Sequence, residues 1–282
     1  MGVTMSIYNF YSFRHRGFSL LAFIIAAVFF ITGCSSAKTT AYATTSPTAS
    51  SSATTNATNA TTSQPAYPEP TKKVAFTFDD GPHREYTVGI AQELAKHGFH
   101  ATFFVVGNRV DGTAYNGGNA LKYLLEGGHE IAIHGYTHTK NYKTCSDEDY
   151  FNEINETLNA IHLHSPEYDV KLVRPIGGSI SQSRIEQSPY SIVLWSVDSE
   201  DWKHKYTSGS SAAKKQAQLD IIVENVMSHV EDGSIILMHD IYESTYDAVN
   251  VLLPLLRAEG YEVVTVSELL GDPQPGTKYN KR

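Results

Sequence analysis

Cysteine and positive charge are both scarce in this 282-residue sequence. Cys34 and Cys145 are the only two thiols, so we expect no intrachain disulfide. The 22 lysines and arginines are outnumbered by 30 aspartates and glutamates, and the resulting net charge of -8 at pH 7 argues against tight binding of nucleic acid. The sequence also lacks a Gly-x-Gly-x-x-Gly motif and a phosphate-binding loop, so we expect no nucleotide cofactor.

The N-terminal region has an apolar run that is short for a membrane span. Residues 18–32 are largely apolar, but these about 15 residues are fewer than the roughly 20 that cross a bilayer. Arg14 and Arg16 precede the run and small residues follow it, which is the order typical of a secretory signal. Residues 31–34 (ITGC) resemble a bacterial lipobox, so we predict that residues 1–33 are a lipoprotein signal peptide and that Cys34 is lipidated. Cleaved secretion and an uncleaved membrane anchor are the alternatives.

Residues 34–70 consist almost entirely of Ser, Thr, Ala, Pro and Asn. With so few large apolar side chains this segment cannot build a core, so we predict a disordered tether. Removing Arg14, Arg16 and Lys38 from the basic residues and Glu69 from the acidic ones leaves 19 against 29 in residues 71–282. We therefore predict one acidic domain, acting as a monomer, that a lipid holds at the outer face of a bacterial cell membrane. Cys145 is interpreted as a bystander.

Short apolar runs rich in branched and aromatic residues alternate with helical patterns through residues 71–282. The runs predict buried parallel strands at residues 74–78, 101–106, 130–133, 170–173, 192–197, 235–238 and 261–266. Helical periodicity marks residues 87–97, 119–126, 147–162, 212–230 and 246–258. This alternation predicts an α/β fold, an incomplete barrel of seven strands with helices between them.

Charged and polar motifs stand where these runs end. They are TFDDGP at 77–82, HGYTH at 134–138, RPIGG at 174–178, DSEDW at 198–202 and LMHD at 237–240. Because the carboxyl ends of parallel strands meet at one edge of a sheet, we expect all five motifs at a single site. Such a set indicates a metal-dependent hydrolase.

The first two motifs contain candidate metal ligands. His134 and His138 are four residues apart at a strand end, where two imidazoles can converge on one ion, although the pair alone is equally typical of a surface. Asp80 can supply a third ligand and leave positions for water and substrate. Adjacent carboxylates at a strand end point in different directions, so Asp79 is interpreted as the catalytic base. Helix capping by both acids is the alternative.

The remaining motifs contain groups that can orient and donate protons. Arg174 can hold Asp79 ionised and oriented, unless it is a solvated cation at the barrel rim. His239 ends a strongly apolar strand, and Asp201 can keep it protonated so that it donates to a leaving amine; a structural histidine is the alternative. Trp202 and Leu237 are predicted to form the walls of a small pocket for an acetyl methyl group, with ordinary core packing as the alternative.

The five motifs resemble, in content and order, those of the polysaccharide deacetylases, the NodB homology domain of carbohydrate esterase family 4. The resemblance covers nearly all of residues 71–282. It implies a distorted seven-stranded β/α barrel and one divalent metal ion, usually zinc, with cobalt, manganese or nickel as alternatives. It also implies hydrolysis of an N-acetyl group from an amino sugar, the same roles for the candidate residues, and an oxyanion-binding backbone amide at Gly177.

Two positions depart from the family's pattern. Gly135 stands where a hydroxyl residue is frequent, and the third motif reads RPIGG rather than Arg-x-Pro-Gly or Arg-Pro-Pro-Tyr. The displaced proline moves the φ constraint of that loop, which bears on the assignment of Gly177.

The predicted membrane anchor and tether would confine the domain close to the bacterial wall. The sequence therefore predicts deacetylation of N-acetylglucosamine in peptidoglycan. Chitooligosaccharides, another surface polysaccharide and acetylxylan are alternative substrates. A non-catalytic glycan-binding module is an alternative of another class, but binding alone would need neither Asp79 nor His239. Phosphoester hydrolysis is disfavoured because only one metal site is indicated.

Overall fold

The computed structural model describes residues 67–282, so the fold is that of this part of the chain. The predicted signal peptide, Cys34 and residues 34–66 of the predicted tether lie outside the described residues. The strands are β1 (Lys72–Asp79), β2 (Thr102–Val105), β3 (Glu130–Ile133), β4 (Leu172–Val173), β5 (Ser191–Val193), β6 (Val197–Asp198), β7 (Ile235–His239), β8 (Tyr261–Val264) and β9 (Lys278–Tyr279). The helices are α1 (Tyr86–Lys96), α2 (Gly107–Val110), α3 (Gly117–Glu126), α4 (Asp147–His164), α5 (Gln182–Glu186), α6 (Ala212–Met227), α7 (Glu243–Ala258) and α8 (Val266–Leu270). Two 3-10 turns span Thr113–Tyr115 and Ile176–Gly178.

All named strands belong to one parallel sheet that curls around a core. Hydrogen bonding follows the order β6-β7-β1-β2-β3-β4-β5-β9, and β8 pairs separately with the first half of β1. Residues 191–198, called the closing segment, pair with β4 at their beginning and with β7 at their end. The sheet therefore curls back on itself as a half-barrel, and the α/β prediction is confirmed.

The predicted number of seven strands was wrong. Eight strands follow the hydrogen-bonded path, and β8 adds another beside β1. The predicted strand at 192–197 divides into β5 and β6 because its two ends pair with different neighbours. In addition, β9 has only two residues and follows a segment rich in Gly and Pro, so it shows no periodicity that a sequence pattern can detect.

The strands bury side chains on both faces, as parallel strands covered by helices do. On β1, Phe76 and Phe78 face the layer of helices, whereas Ala75 belongs to a second cluster with Phe104 and Val193 in the interior of the half-barrel. The helix α8 adds Val266 and Leu269 to this interior cluster. The packed interior leaves the carboxyl ends of the strands as the open edge of the sheet.

Helices α1, α3, α4, α6 and α7 lie where the periodicity predicts them. Their ends follow local rules; α4, for example, begins after Ser146, whose hydroxyl accepts a hydrogen bond from the Asp149 N–H. The short helices α2, α5 and α8 have too few residues for a detectable period. Within residues 67–282, no helix combines the length and the apolar character that crossing a bilayer requires.

Candidate active site

The carboxyl ends of four strands place the predicted residues at one edge of the sheet. Asp79 ends β1 and lies opposite His239, the last residue of β7, in the parallel register. His134 directly follows β3, and Arg174 directly follows β4. The topology thus explains how residues far apart in sequence come to one place.

Asp80, His134 and His138 form a compact group, called the ligand cluster. One ligand atom from each lies within 4.8 Å of the other two. Oδ1 of Asp80 is 2.9 Å from Nε2 of His138 and 3.5 Å from Nε2 of His134. His134 is buried, whereas the side chain of His138 is 40% exposed. The cluster is therefore closed on one side and open on the other, and the alternative of a surface histidine pair is excluded.

The hydrogen bonds around the ligand cluster leave its facing atoms free. Nδ1 of His134 lies 2.8 Å from the Arg174 carbonyl, which can only accept, so Nδ1 carries the proton and Nε2 keeps its lone pair. Oδ1 of Asp80 is buried but accepts no hydrogen bond of ordinary geometry from the residues that the structure describes. A buried carboxylate oxygen without a donor is unfavourable unless a cation completes its contacts. One carboxylate and two imidazoles are common ligands of divalent zinc, so these residues fit a divalent metal ion.

Electrostatics keep Asp80 and His134 in the forms that bind metals. Burial raises the pKa of Asp80, but the adjacent His138 and His134 imidazoles outweigh it, and the pKa falls well below its usual range. Burial lowers the pKa of His134, so this imidazole is neutral at pH 7. The close approach and the charge of the Asp80 carboxylate raise the pKa of His138. Since a bound cation takes a carboxylate and neutral imidazoles, binding would release any proton held by His138.

The loop between the two histidines is held by a buried acid that the sequence pattern does not single out. Glu153 of α4 is 4% exposed, and its carboxylate accepts hydrogen bonds from the N–H groups of Tyr136 at 2.7 Å and Thr137 at 2.8 Å. The Thr137 hydroxyl donates a further one. Gly135 in this loop has φ of 95°, and a Cβ there would lie 2.6 Å from Oη of Tyr142. Both the backbone and the lack of space therefore require glycine at position 135.

Two residues of the ligand cluster have a left-handed backbone. φ is 73° at Asp80 and 60° at His138, a region that residues other than glycine rarely adopt. Such a conformation costs about 1 to 3 kcal/mol per residue and persists only where surrounding contacts enforce it. For His138, the hydrogen bonds of Glu153 to the preceding loop are such contacts.

Arg174 is completely buried, which excludes the alternative of a cation at the barrel rim. Its Nη1 donates hydrogen bonds of 2.7 Å to Oδ1 of Asp79 and to the Thr77 hydroxyl. Nε and Nη2 donate to the carbonyls of Val193 and Leu194, both in the closing segment. The guanidinium is therefore fixed from three sides, and it fixes Asp79 in turn.

Asp79 is 3% exposed and lies on the buried side of the ligand cluster. Its Oδ1 is taken by Arg174, whereas Oδ2 lies 3.6 Å from Nε2 of His134. Helix α1 begins at Tyr86 after Glu85, so neither aspartate caps it and that alternative is excluded. Asp79 thus keeps one oxygen directed towards the ligand cluster.

Asp201, His239 and Thr245 form a second group, called the proton cluster. Oδ1 of the completely buried Asp201 lies 2.7 Å from Nδ1 of His239. Oδ2 accepts hydrogen bonds from the backbone N–H of His239 at 2.7 Å and from the Thr245 hydroxyl at 2.6 Å. Burial lowers the pKa of His239, but the charge and hydrogen bond of Asp201 outweigh it and raise the pKa to about 9. His239 therefore carries a proton at neutral pH.

The other predicted site residues differ in their surroundings. The N–H of Gly177, where φ is 59°, donates no hydrogen bond to any residue in the range 67–282. Leu237 is buried within β7, whereas Trp202 is 44% exposed and lies beneath the Lys203 ammonium at 4.9 Å. The pocket between Trp202 and Leu237 stays a prediction, as does the role of Gly177.

The sequence pattern did not assign a role in the site to Glu153, to Thr245 or to Asp240. Asp240 is buried, its carboxylate accepts a hydrogen bond from Thr87, and burial raises its pKa to about 7. A Cβ at Gly81 would lie 2.2 Å from Oδ2 of Asp240, so Asp240 packs against the residue that directly follows Asp80. The position of Asp240 beside His239 in the LMHD motif was a usable signal; Glu153 and Thr245 lie inside helical patterns and gave none.

The chain matches a protein family model and several known relatives. The family model described as polysaccharide deacetylase matches residues 66–189. The peptidoglycan-N-acetylglucosamine deacetylase PgdA of Listeria monocytogenes is 35% identical over 209 residues, which are 74% of this chain and 41% of the relative. The chain thus spans less than half the length of that relative.

Solved structures extend the likeness to the fold. The peptidoglycan deacetylase PdaC of Bacillus subtilis is 36% identical with a TM-score of 0.62, over 71% of this chain and 90% of that one. A family 4 acetyl xylan esterase from Clostridium thermocellum, in complex with a cobalt ion, is 28% identical with a TM-score of 0.64, over 74% of this chain and 98% of that one.

Proposed function

The chain belongs to the polysaccharide deacetylase family, and we propose that it removes the N-acetyl group from N-acetylglucosamine in peptidoglycan with one divalent metal ion, zinc in the first instance. The observation that carries this proposal is the buried Oδ1 of Asp80, which lies between two imidazoles and accepts no regular hydrogen bond from residues 67–282. The Listeria and Bacillus relatives, by their names, act on peptidoglycan, and the Clostridium esterase was solved with cobalt. These likenesses support both the substrate and the metal.

Asp80, His134 and His138 would hold the ion. When bound, a divalent ion polarises the acetyl carbonyl and eases ionisation of the attacking water. Oδ2 of Asp79 takes the proton from that water, because Oδ1 is already occupied by Arg174. The buried Arg174 keeps Asp79 ionised and directed at the site.

The second half of the reaction needs an acid. Addition of water to the carbonyl carbon gives a tetrahedral oxyanion, to which the free N–H of Gly177 donates. Nε2–H of His239 then protonates the amide nitrogen as the carbon–nitrogen bond breaks, releasing acetate and the amino sugar. Asp201 holds Nδ1–H of His239 and so leaves Nε2 as the atom that donates.

The sequence of the N-terminal region supports an activity outside the cytoplasmic membrane. A lipid on Cys34 and a tether over residues 34–70 would hold the domain outside the cytoplasmic membrane, within reach of the wall. Labelling cells with a radioactive fatty acid tests this, with Cys34→Ser as the control. Label on the wild-type protein and none on the variant is the expected result.

Acetate release tests the activity itself. Purified protein is incubated with peptidoglycan strands, chitotetraose and acetylxylan, and acetate is measured enzymatically. We expect the highest kcat/KM on peptidoglycan. Mass analysis of muropeptides from cells with and without the protein should show additional free amino groups on glucosamine only when the protein is present. Equal acetylation in the two cell lines, or faster release from acetylxylan, would overturn the substrate assignment.

The role of Asp79 is tested by Asp79→Asn, which keeps the shape but removes the basic oxygen. We expect acetate release to fall by about a thousandfold, because a positioned base contributes 10² to 10⁴ and Arg174 loses its partner as well. The metal content should remain that of the wild type, as measured by elemental analysis. Near-normal turnover in this variant would reject Asp79 as the base.

A further inference from the structure

A cavity adjoins the ligand cluster. It has a volume of about 240 Å³, and Asp80 and His138 form the wall that it shares with the ligand cluster. The rest of its lining includes Asn108, Arg109, Tyr115 and Thr137. A substrate whose acetamido group lies at the ligand cluster would therefore place a neighbouring group in this cavity.

Arg109 lines this cavity but, unlike Asp80 and His138, has no role in the proposed reaction. This half-buried residue forms no ion pair with a carboxylate among the described residues. The nearby Asp111 accepts a hydrogen bond from the Tyr136 hydroxyl, and Asp240 accepts one from Thr87. This domain has more acidic than basic residues, and yet no acidic residue that the structure describes pairs with this partly buried arginine. The missing counter-ion therefore indicates an anionic group on a bound ligand.

The contact that Arg109 does make leaves its donors free. The guanidinium carbon lies 5.0 Å from the centroid of the Tyr115 ring, so the cation is supported by an aromatic side chain rather than by an anion. An arginine in such a contact can still direct its N–H groups at the two oxygens of a planar acid. Asn108 and Thr137 add neutral polar groups suited to sugar hydroxyls.

We propose that Arg109 binds a carboxylate that the substrate carries beside the acetamido sugar, and so determines specificity for an acidic glycan. This inference builds on the proposed function. Chitin oligosaccharides and acetylxylan offer no carboxylate at that position. Peptidoglycan offers two, either on the lactyl group of the neighbouring sugar or, where that group is amide-linked, on the stem peptide. Both sources present the same chemistry to Arg109.

Matched substrates with and without free carboxylates test whether Arg109 recognises the negative charge of the polymer. Glycan strands freed of stem peptides carry lactyl carboxylates, and strands that keep the peptides carry peptide carboxylates. Each is used unmodified and after conversion of its carboxylates to methylamides. The metal-loaded wild type, Arg109→Gln, Arg109→Lys and the surface control Lys122→Gln are compared by the ratio of kcat/KM on the unmodified strand to that on its methylamide.

We expect the kcat/KM of the wild type on one unmodified strand to exceed that on its methylamide at least tenfold, mainly through a lower KM. The strand that shows this preference identifies whether Arg109 binds the lactyl or the peptide carboxylate. Arg109→Gln should abolish the preference. Arg109→Lys should keep part of it, since it retains the charge but not the planar fork. Lys122→Gln, on the exposed surface of α3, should behave as the wild type. The wild-type preference should weaken as salt is added.

Equilibrium binding gives a readout that does not depend on turnover. The dissociation constant of the unmodified strand is measured by calorimetry for Asp79→Asn and for Asp79→Asn combined with Arg109→Gln. We expect the second substitution to raise it at least tenfold for the unmodified strand and to leave the methylamide little changed. A preference that persists in Arg109→Gln, or a wild type without any preference, would overturn this inference. Failure to release acetate from every strand would instead overturn the proposed function.

Discussion

The ligand cluster and the proton cluster both combine an aspartate with histidine at the same sheet edge, yet their hydrogen bonding differs. In the proton cluster, the Asp201 carboxylate accepts from Nδ1 and the backbone N–H of His239, from the Trp202 N–H and from the Thr245 hydroxyl. In the ligand cluster, Oδ1 of Asp80 is buried and accepts no regular hydrogen bond from the part of the chain that the structure describes. The first carboxylate is saturated with donors and the second is not.

One pair of residue types therefore serves two chemistries. A saturated aspartate holds its histidine as a charged proton donor, because every alternative contact of the carboxylate is already made. An unsaturated aspartate between two imidazoles has capacity left for a cation. The supply of hydrogen-bond donors, rather than the residues themselves, distinguishes the two clusters.

The largest effect is expected from His138→Ala, which opens the ligand cluster. Since His138 is on a partly exposed loop, the variant should fold, lose the metal on dialysis and release acetate at least about a thousandfold more slowly, because the ion supplies several kcal/mol of the rate enhancement. Elemental analysis and acetate assays measure both. A chelator should lower the unfolding temperature of the wild type but not that of the variant. A variant that keeps a full equivalent of metal would contradict the assignment of His138.

A smaller effect is expected from Asp201→Asn, which removes the charge from the proton cluster. The acid must be protonated, so the rate falls as pH rises through the pKa of His239, which is about 9 in the wild type. Without the charge of Asp201, burial is opposed only by the weaker charges of Asp79 and Asp80, so that pKa falls and the basic limb of the pH–rate profile moves to lower pH. At pH 8 we expect a loss of about 10- to 100-fold, with a smaller loss at pH 6.

Asp201→Asn also tests whether the proton cluster acts independently of the ligand cluster. Asp201→Asn should bind the metal as the wild type does, because the proton cluster contributes no ligand. A pH–rate profile with its basic limb still near pH 9 would show that Asp201 does not set the protonation of His239. Loss of metal from Asp201→Asn would show that the two clusters are not separable.

Glu153→Gln tests whether the loop of the ligand cluster depends on a buried charge. The amide keeps the size of the side chain but weakens its hydrogen bonds to the N–H groups of Tyr136 and Thr137. We expect the metal affinity to fall by about 10- to 100-fold, as for other residues that orient metal ligands. Titration with metal should restore most of the activity. A purely structural role would instead lower the unfolding temperature without changing the metal affinity.

The smallest effect is expected from Thr245→Val, which removes one donor from Asp201 and keeps the volume. Loss of this buried hydrogen bond should destabilise the domain by about 1 to 2 kcal/mol, measured by urea unfolding. The basic limb of the pH–rate profile should stay near pH 9, because the charge of Asp201 remains. A shift as large as that of Asp201→Asn would mean that the hydrogen bond, and not the charge, controls His239.

The sequence pattern predicted which residues gather at the sheet edge better than it predicted the number of strands. Asp79, Asp80 and His239 adjoin long apolar strands, so the rule that polar residues cluster at the carboxyl ends of parallel strands was sufficient to bring them together. The strand count failed because β5 and β6 form one continuous apolar run, and only the identity of their partners separates them. Pairing partners are a property of the folded chain.

Glu153 shows a second limit. It lies on α4 among several other acidic residues, where a solvated helix face is the ordinary interpretation. Its burial follows from how α4 packs beside β3, and no spacing relative to His134 and His138 indicates that contact. Residues that act through tertiary packing are therefore harder to predict than those that act from strand ends.

The closing segment has a consequence for recombining this domain with its relatives. Its first half supplies the Val193 and Leu194 carbonyls that receive Arg174, and its last residue stands three positions before Asp201. A crossover or an inserted residue in this segment would misalign both halves of the reaction at once. Chimeras should be joined instead in exposed stretches such as residues 207–209.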